Sequence, residues 1–147
     1  MTGAGGDRGA APEQTGVPQV DYEARPPAAE DVIELFRAAG LNGPLDDPPR
    51  VQRMLDEAQF ILAARVNGRL AGLIRVLTDF AYNAFIADLA VLPEYQRQGI
   101  GSALVRRATE PYRGVKFIVH PGHDSGAFWT RNGFTSAPSC MALMRRF

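Results

Sequence analysis

The sequence is poor in several residue types, and each shortage excludes something. It has one cysteine, Cys140, so no intramolecular disulfide can form. A lone cysteine fits a cytoplasmic enzyme. Positive and negative side chains balance at 16 each, which argues against a general nucleic-acid binder with its usual basic excess. No apolar run reaches the roughly 18 residues that a membrane span needs. The first residues, MTGAGGDRGAAPEQTGVP, lack the apolar stretch of a secretory signal. The two histidines, His120 and His123, stand in the loop sequence HPGHD with no third and fourth ligand at suitable spacing, so no metal site is expected. Lysine is represented by Lys116 alone.

What is there suits a globular α/β protein. The length of 147 residues suggests one domain, and 46% apolar with 22% charged residues is a globular balance. Residues 1–18 contain only Met1 and Val17 as large apolar side chains, too few to offset the entropy of ordering. They are expected to be a disordered tail, with a single domain over 19–147. Within it, 19–25 suggests a short strand. Residues 28–39 suggest a helix, because Val32, Leu35, Phe36 and Ala39 recur at helical spacing before Gly40. Asp47 and Pro48 suggest the start of a second helix running to about Ala58. FILAARV and RLAGLIRVLTD flank Asn67-Gly68, a strong hairpin signal. Residues 84–92 are apolar on both faces, as in a central strand. A helix over 99–110, a strand over 115–120, a short helix over 124–132 and a last strand over 141–147 follow, with a further strand possible over 134–138. The expected fold class is α/β, with a mixed, mostly antiparallel central sheet of six to seven strands flanked by helices.

The stretch VLPEYQRQGIGSALV joins the central strand to a helix. No acidic residue occurs from Tyr95 to Thr109, although a helix start usually favours one. Arg97, Arg106 and Arg107 make the neighbourhood locally positive. Helix N-termini leave backbone N–H groups unpaired, and glycine lets an anion approach them closely. Together these suggest a phosphate site. A tight turn whose glycines serve only packing is the bland alternative. Two familiar phosphate loops do not fit. No lysine follows Gly101, so this is not a P-loop, and Leu104 stands where a dinucleotide fingerprint needs its third glycine.

Gln96-Arg97-Gln98-Gly99-Ile100-Gly101 matches Q-x-x-G-x-G and resembles the acyl-CoA loop of the GCN5-related N-acetyltransferase (GNAT) family. FWTRNGF at 128–134 resembles that family's late helix-turn segment, usually F-Y-x-x-x-G-F, and the order of elements agrees from about residue 19 onward. The resemblance implies splayed central strands and acetyl-CoA as cosubstrate. The amides of Arg97, Gln98, Gly99, Ile100, Gly101 and Ser102, with Gln96 opening the loop, would hold the pyrophosphate. Main-chain groups at Leu89 and Val91 would take the pantetheine arm. The implied reaction is direct acetyl transfer to a primary amine of a small molecule or a protein. Homodimers are common in the family.

Such an amine has a pKa of about 10.4 and must lose a proton before it attacks. Asp88 interrupts an apolar strand, shares by alternation a face with Ile86 and Ala90, and is the first candidate for base or amine-orienting group. An ion pair with Arg75 is its structural alternative. His120 ends the strand expected to border the cleft and, with an ordinary pKa of about 6.5, suits a proton relay. The family's usual acid is a tyrosine, but Trp129 stands at that position. Tyr95 and Tyr82 are the phenols left to replace it. The aromatics of DFAYNAF could wall an amine site or belong to the core. A non-catalytic acyl-CoA-binding module is the rival reading.

Overall fold

A computed structural model describes residues 19–146. The expected tail at 1–18 lies outside the described residues. β1 (Asp21–Glu23) precedes α1 (Ala29–Ala39) and α2 (Pro48–Asp56). α1 stops where Gly40 adopts a left-handed φ of 72°, and the Gly40 and Leu41 N–H groups donate back to the Arg37 and Phe36 carbonyls. α2 starts where the Asp47 carboxylate accepts the Arg50 N–H at 3.2 Å, with Pro48 in the first turn.

β2 (Phe60–Val66) and β3 (Arg69–Thr78) form the expected hairpin, and Asn67 and Gly68 take positive φ values of 50° and 78°. That is the turn conformation that Asn-Gly favours. β4 (Asn83–Val91), α3 (Ile100–Thr109), β5 (Lys116–Val119) and α4 (Gly126–Arg131) complete the fold. The strands lie in the order β1-β2-β3-β4-β5, antiparallel except for the parallel β4–β5 pair.

Two apolar layers cover the sheet. Val32, Leu35 and Phe36 of α1 and Val51 and Leu55 of α2 pack against Ile61, Ala63, Leu73 and Ala90. Ile100, Leu104, Val105 and Ala108 of α3 pack with Trp129 of α4 against Leu62, Ile74, Val76 and Ile86 on the opposite face. Among the described residues no helix is long and apolar enough to cross a membrane.

The described residues form five strands, not six to seven. Residues 134–138 carry no strand, and 141–146 are exposed and carry none either. Alternation alone does not make a strand, because a strand exists only where a neighbour accepts its hydrogen bonds.

Candidate functional site

β4 changes partners along its length. Its first part, Asn83 to Ile86, pairs with Lys116 to Val119 of β5. From Asp88 to Val91 it remains paired only with β3. β5 itself ends at Val119, so the later part of β4 has no strand partner on that side and one of its edges is open.

A bulge lies just past the last β4–β5 pair. Arg75 faces Asp88 and Val76 faces Ile86, so Ala87 is the extra residue. The bulge reverses which side chains point where. Ile86 belongs to the layer under α3, whereas Ala90 belongs to the layer under α1 and α2. Asp88 shares its face with Ala90 and not with Ile86, contrary to plain alternation from the sequence. Past the bulge, the Leu92 N–H points across to the Ala71 carbonyl at 2.8 Å. By alternation, the main-chain groups of Leu89 and Val91 point to the open edge. The Val91 carbonyl indeed accepts the Gln96 side chain at 3.0 Å, on that edge.

The loop after β4 is built from its own side chains. Gln96 anchors to Val91, and the Gln98 side-chain amide donates to the Glu94 carbonyl at 3.0 Å. Arg97 and Gly99 take positive φ values of 62° and 86°. The first backbone bond into α3 is the Ala103 N–H to the Gly99 carbonyl. Consequently, among the described residues, the six consecutive backbone N–H groups from Arg97 to Ser102 have no protein acceptor. The first turn of α3 holds no acidic residue. Six unpaired donors and a helix N-terminus together form a cradle for an anion with several oxygens.

The two glycines serve different ends. Gly99 supplies the left-handed residue that starts the helix, and a Cβ there would meet open space. At Gly101 a Cβ would lie 3.2 Å from the Phe128 ring, so glycine there lets α4 close onto α3. Asn132 ties the same helices, its side-chain nitrogen reaching Ser102 Oγ at 3.3 Å and the Phe128 carbonyl at 2.8 Å. The packing reading holds for Gly101, whereas Gly99 sets the left-handed turn that starts the helix. Of the nearby arginines, Arg107 stacks its guanidinium over the Tyr22 ring at 3.9 Å.

Asp88 lies in an ion pair at the bulge. Arg75 Nε donates to Asp88 Oδ2 at 2.5 Å, with both side chains about nine-tenths buried. Oδ1 of Asp88 has no protein donor among the described residues. His120 follows β5, and its ring meets Phe85 of β4 edge-on at 5.3 Å. Alternation through the β4–β5 pairs puts Phe85, Ile118 and His120 opposite Ala84, Phe117 and Val119, which pack on the α3 side. Asp88 and His120 thus lie on the same face of the sheet, but no contact joins them.

The other candidates lie elsewhere. Tyr95, in the short turn after β4, packs its ring against both apolar layers. Trp129 is buried between Phe128 and Phe134, edge-on to each at 5.1 Å. Phe80 stacks on Tyr112 at 5.1 Å, away from Asp88, while Tyr82 is exposed. Only Phe85 of the DFAYNAF aromatics adjoins a candidate residue. Sequence reasoning missed the Ala87 bulge, for which an apolar run gives no signal.

An open sheet with a bulged, half-unpaired strand leading into a helix start with a row of free amides is the architecture of an acyl-CoA-type acyltransferase domain. The family model for the GNAT acetyltransferase family matches residues 29–134, and the chain belongs to that family. It is 33% identical over 84 residues to the histone acetyltransferase TAP1 of Glycine max, covering 44% of this chain and 36% of that protein. It is 36% identical over 109 residues to the mycothiol acetyltransferase of Salinispora arenicola, covering 69% of this chain and 35% of that protein. The chain thus spans about a third of the length of these curated relatives. A GNAT family acetyltransferase of Streptococcus pneumoniae superposes with a TM-score of 0.68 at 27% identity, covering 88% of this chain and 97% of that one.

Proposed function

We propose that the chain is an N-acetyltransferase that moves an acetyl group from acetyl-CoA to a primary amine of a small molecule or protein. The observation that carries this reading is the row of six unpaired backbone N–H groups from Arg97 to Ser102. These donors fit a pyrophosphate. Arg97 adds positive charge beside them. The open edge at Leu89 and Val91 fits an extended amide-bearing arm, which would bind as an added strand. When bound, acetyl-CoA supplies an activated acetyl thioester. The open-edge N–H groups of β4 are donors for a carbonyl oxygen that gains negative charge. Asp88, on the open half of β4, orients the amine or accepts its proton, directly or through water. Arg75 fixes the carboxylate by holding Oδ2. His120, beside Phe85 on the same face of the sheet, is the candidate proton relay. Tyr95 is held by packing, so solvent is the simplest acid for the leaving thiolate. The single exposed Cys140 suits a reducing, cytoplasmic setting.

A second reading, acyl-CoA binding without turnover, draws support from two features. Asp88 is already engaged by Arg75, and Trp129 fills the place of the family's usual tyrosine. Thermal unfolding with acetyl-CoA, against NADH and ATP as controls, tests binding. Ligand at about 100 times its dissociation constant stabilises by roughly 2.7 kcal/mol. An amine panel with detection of free thiol then separates the two readings. Binding with no thiol release from any amine would favour the second, and no shift with millimolar acetyl-CoA would end both.

A further inference from the structure

Helices cover only part of the sheet face that carries Asp88. α1 and α2 pack over Ile61, Ala63, Leu73 and Ala90. Farther along the same face, Leu77 pairs with Phe85, and Phe85 pairs with Ile118. Paired residues point to one face, so these side chains form a row across β3, β4 and β5. None of them belongs to either apolar layer. Leu77 is 37% exposed, and Phe85 and Ile118 are half-buried. His120, two residues past Ile118, meets Phe85 edge-on. An apolar row with no helix over it is an open shelf.

The two ends of the shelf differ in charge. One step from Leu77 along β3 stands Arg75 with its partner Asp88. Asp88 is the only carboxylate in β3, β4 and β5. Arg75 holds its Oδ2, while Oδ1 has no protein donor among the described residues. No unpartnered side-chain oxygen or nitrogen is fully buried there, so Oδ1 keeps access to the surface. One step from Ile118 in the opposite direction stands Lys116, exposed and the only lysine of the chain. Each step is about 6.6 Å. An occupant of the shelf therefore meets a carboxylate oxygen at one end, apolar surface in the middle and a cation at the far end.

We propose that the acceptor is a small arylalkyl monoamine, with its nitrogen at Asp88 and its ring on Leu77, Phe85 and Ile118. What happens to the amine rests on the acetyl-transfer reading; where the amine sits does not. A ring on a two-carbon linker spans about one step of the strand. It removes the shelf from water and meets Phe85 ring to ring. The free-base nitrogen bonds to the acetyl carbon as the carbon–sulfur bond breaks. Its proton leaves through Asp88 Oδ1 or water, and the coenzyme departs as the thiol. A short polar amine gains nothing from the shelf. A polyamine carries a second positive charge toward Lys116, which repels it. Phe85 and Ile118 thus select for an apolar body, and Lys116 selects against a second cation.

Matched pairs of amines on the full chain test it. With saturating acetyl-CoA, thiol release should favour 2-phenylethylamine over ethylamine by roughly 30-fold or more in kcat/KM. Hexylamine should exceed 1,6-diaminohexane, and Lys116→Glu should move that ratio by about 3- to 10-fold in favour of the diamine. A gain for one substrate cannot come from a misfolded variant. Binding is read separately from the methyl NMR signals of Leu77 and Ile118. 2-Phenylethylamine should move both signals, and ethylamine neither. Methyl shifts with no thiol released from any amine would uphold the site and end the acetyl-transfer reading. Equal thiol release from ethylamine and 2-phenylethylamine, with both methyls unmoved, would overturn the inference and leave acetyl transfer standing. An unchanged ratio in Lys116→Glu would overturn it too, because the amine would then not lie along the shelf.

Discussion

The anion cradle and the Asp88 region lie at opposite ends of the open half of β4, and they are made differently. The cradle is backbone. Its donors are the amides of Arg97 to Ser102, and its side chains, Gln96 and Gln98, only hold the loop in shape. The Asp88 region is made of side chains. Its geometry depends on one extra residue, Ala87, and on a buried ion pair with Arg75. A backbone site tolerates most side-chain changes and fails when a φ angle is lost. A site built on a buried charge fails when either partner is removed.

The largest effect is expected at the ion pair. Arg75→Met leaves a buried carboxylate without its partner and should destabilise the fold by about 3–5 kcal/mol, read from urea unfolding. Adding Asp88→Asn should recover part of that loss. If the double variant is no more stable than Arg75→Met alone, the pair is not what holds this part of the sheet together. Asp88→Asn by itself should cut turnover by about 100- to 10,000-fold while leaving the acetyl-CoA thermal shift in place. Unchanged turnover would remove Asp88 from the chemistry.

The two glycines sharpen the contrast from the other side. Gly101→Ala forces Phe128 to give way by a few tenths of an ångström and should cost about 1–3 kcal/mol in stability. Gly99→Ala meets no steric neighbour but must hold a φ of 86°, at about 1–2 kcal/mol. Its sharper effect should be on acetyl-CoA affinity, because relaxing that φ re-aims the amides. Calorimetry on both variants separates packing from cradle geometry. A smaller effect, under about tenfold in turnover, is expected for His120→Ala, since no contact ties it to Asp88.

The smallest effect is one of pH. The Asp79 carboxylate accepts the backbone N–H groups of Tyr82, Ala81 and Asn83, which lower its pKa below the ordinary 3.8. A lowered folded pKa means that the stabilisation is present above the unfolded value and disappears as pH falls through the folded one. Asp79→Ala should therefore lower the melting temperature slightly at pH 7 and not at a pH well below 3.8. A difference that persists in acid would show that the charge is not its source.

The loop with its row of unpaired amides was legible in the sequence because its requirements are local. Positive φ at Gly99, unpaired amides and the missing acidic residues all lie within one loop. The same holds for the Asp47 cap and the Asn67-Gly68 turn. The Asp88 face was not legible. An apolar run hides a bulge, and strict alternation puts Ile86 and Asp88 on one face when Ala87 separates them. The strand expected over 141–147 failed for a related reason. An apolar stretch marks a segment able to pair, but it becomes a strand only where a neighbour takes up its hydrogen bonds.

The most direct test of the account follows the backbone amides of Arg97 to Ser102 by NMR as acetyl-CoA is added. If these amides hold the pyrophosphate, all six resonances should move together, with larger shifts than those of α1 or α2. If acetyl-CoA binds but those six remain in place while others move, the cradle is only a packing turn and the cofactor lies elsewhere.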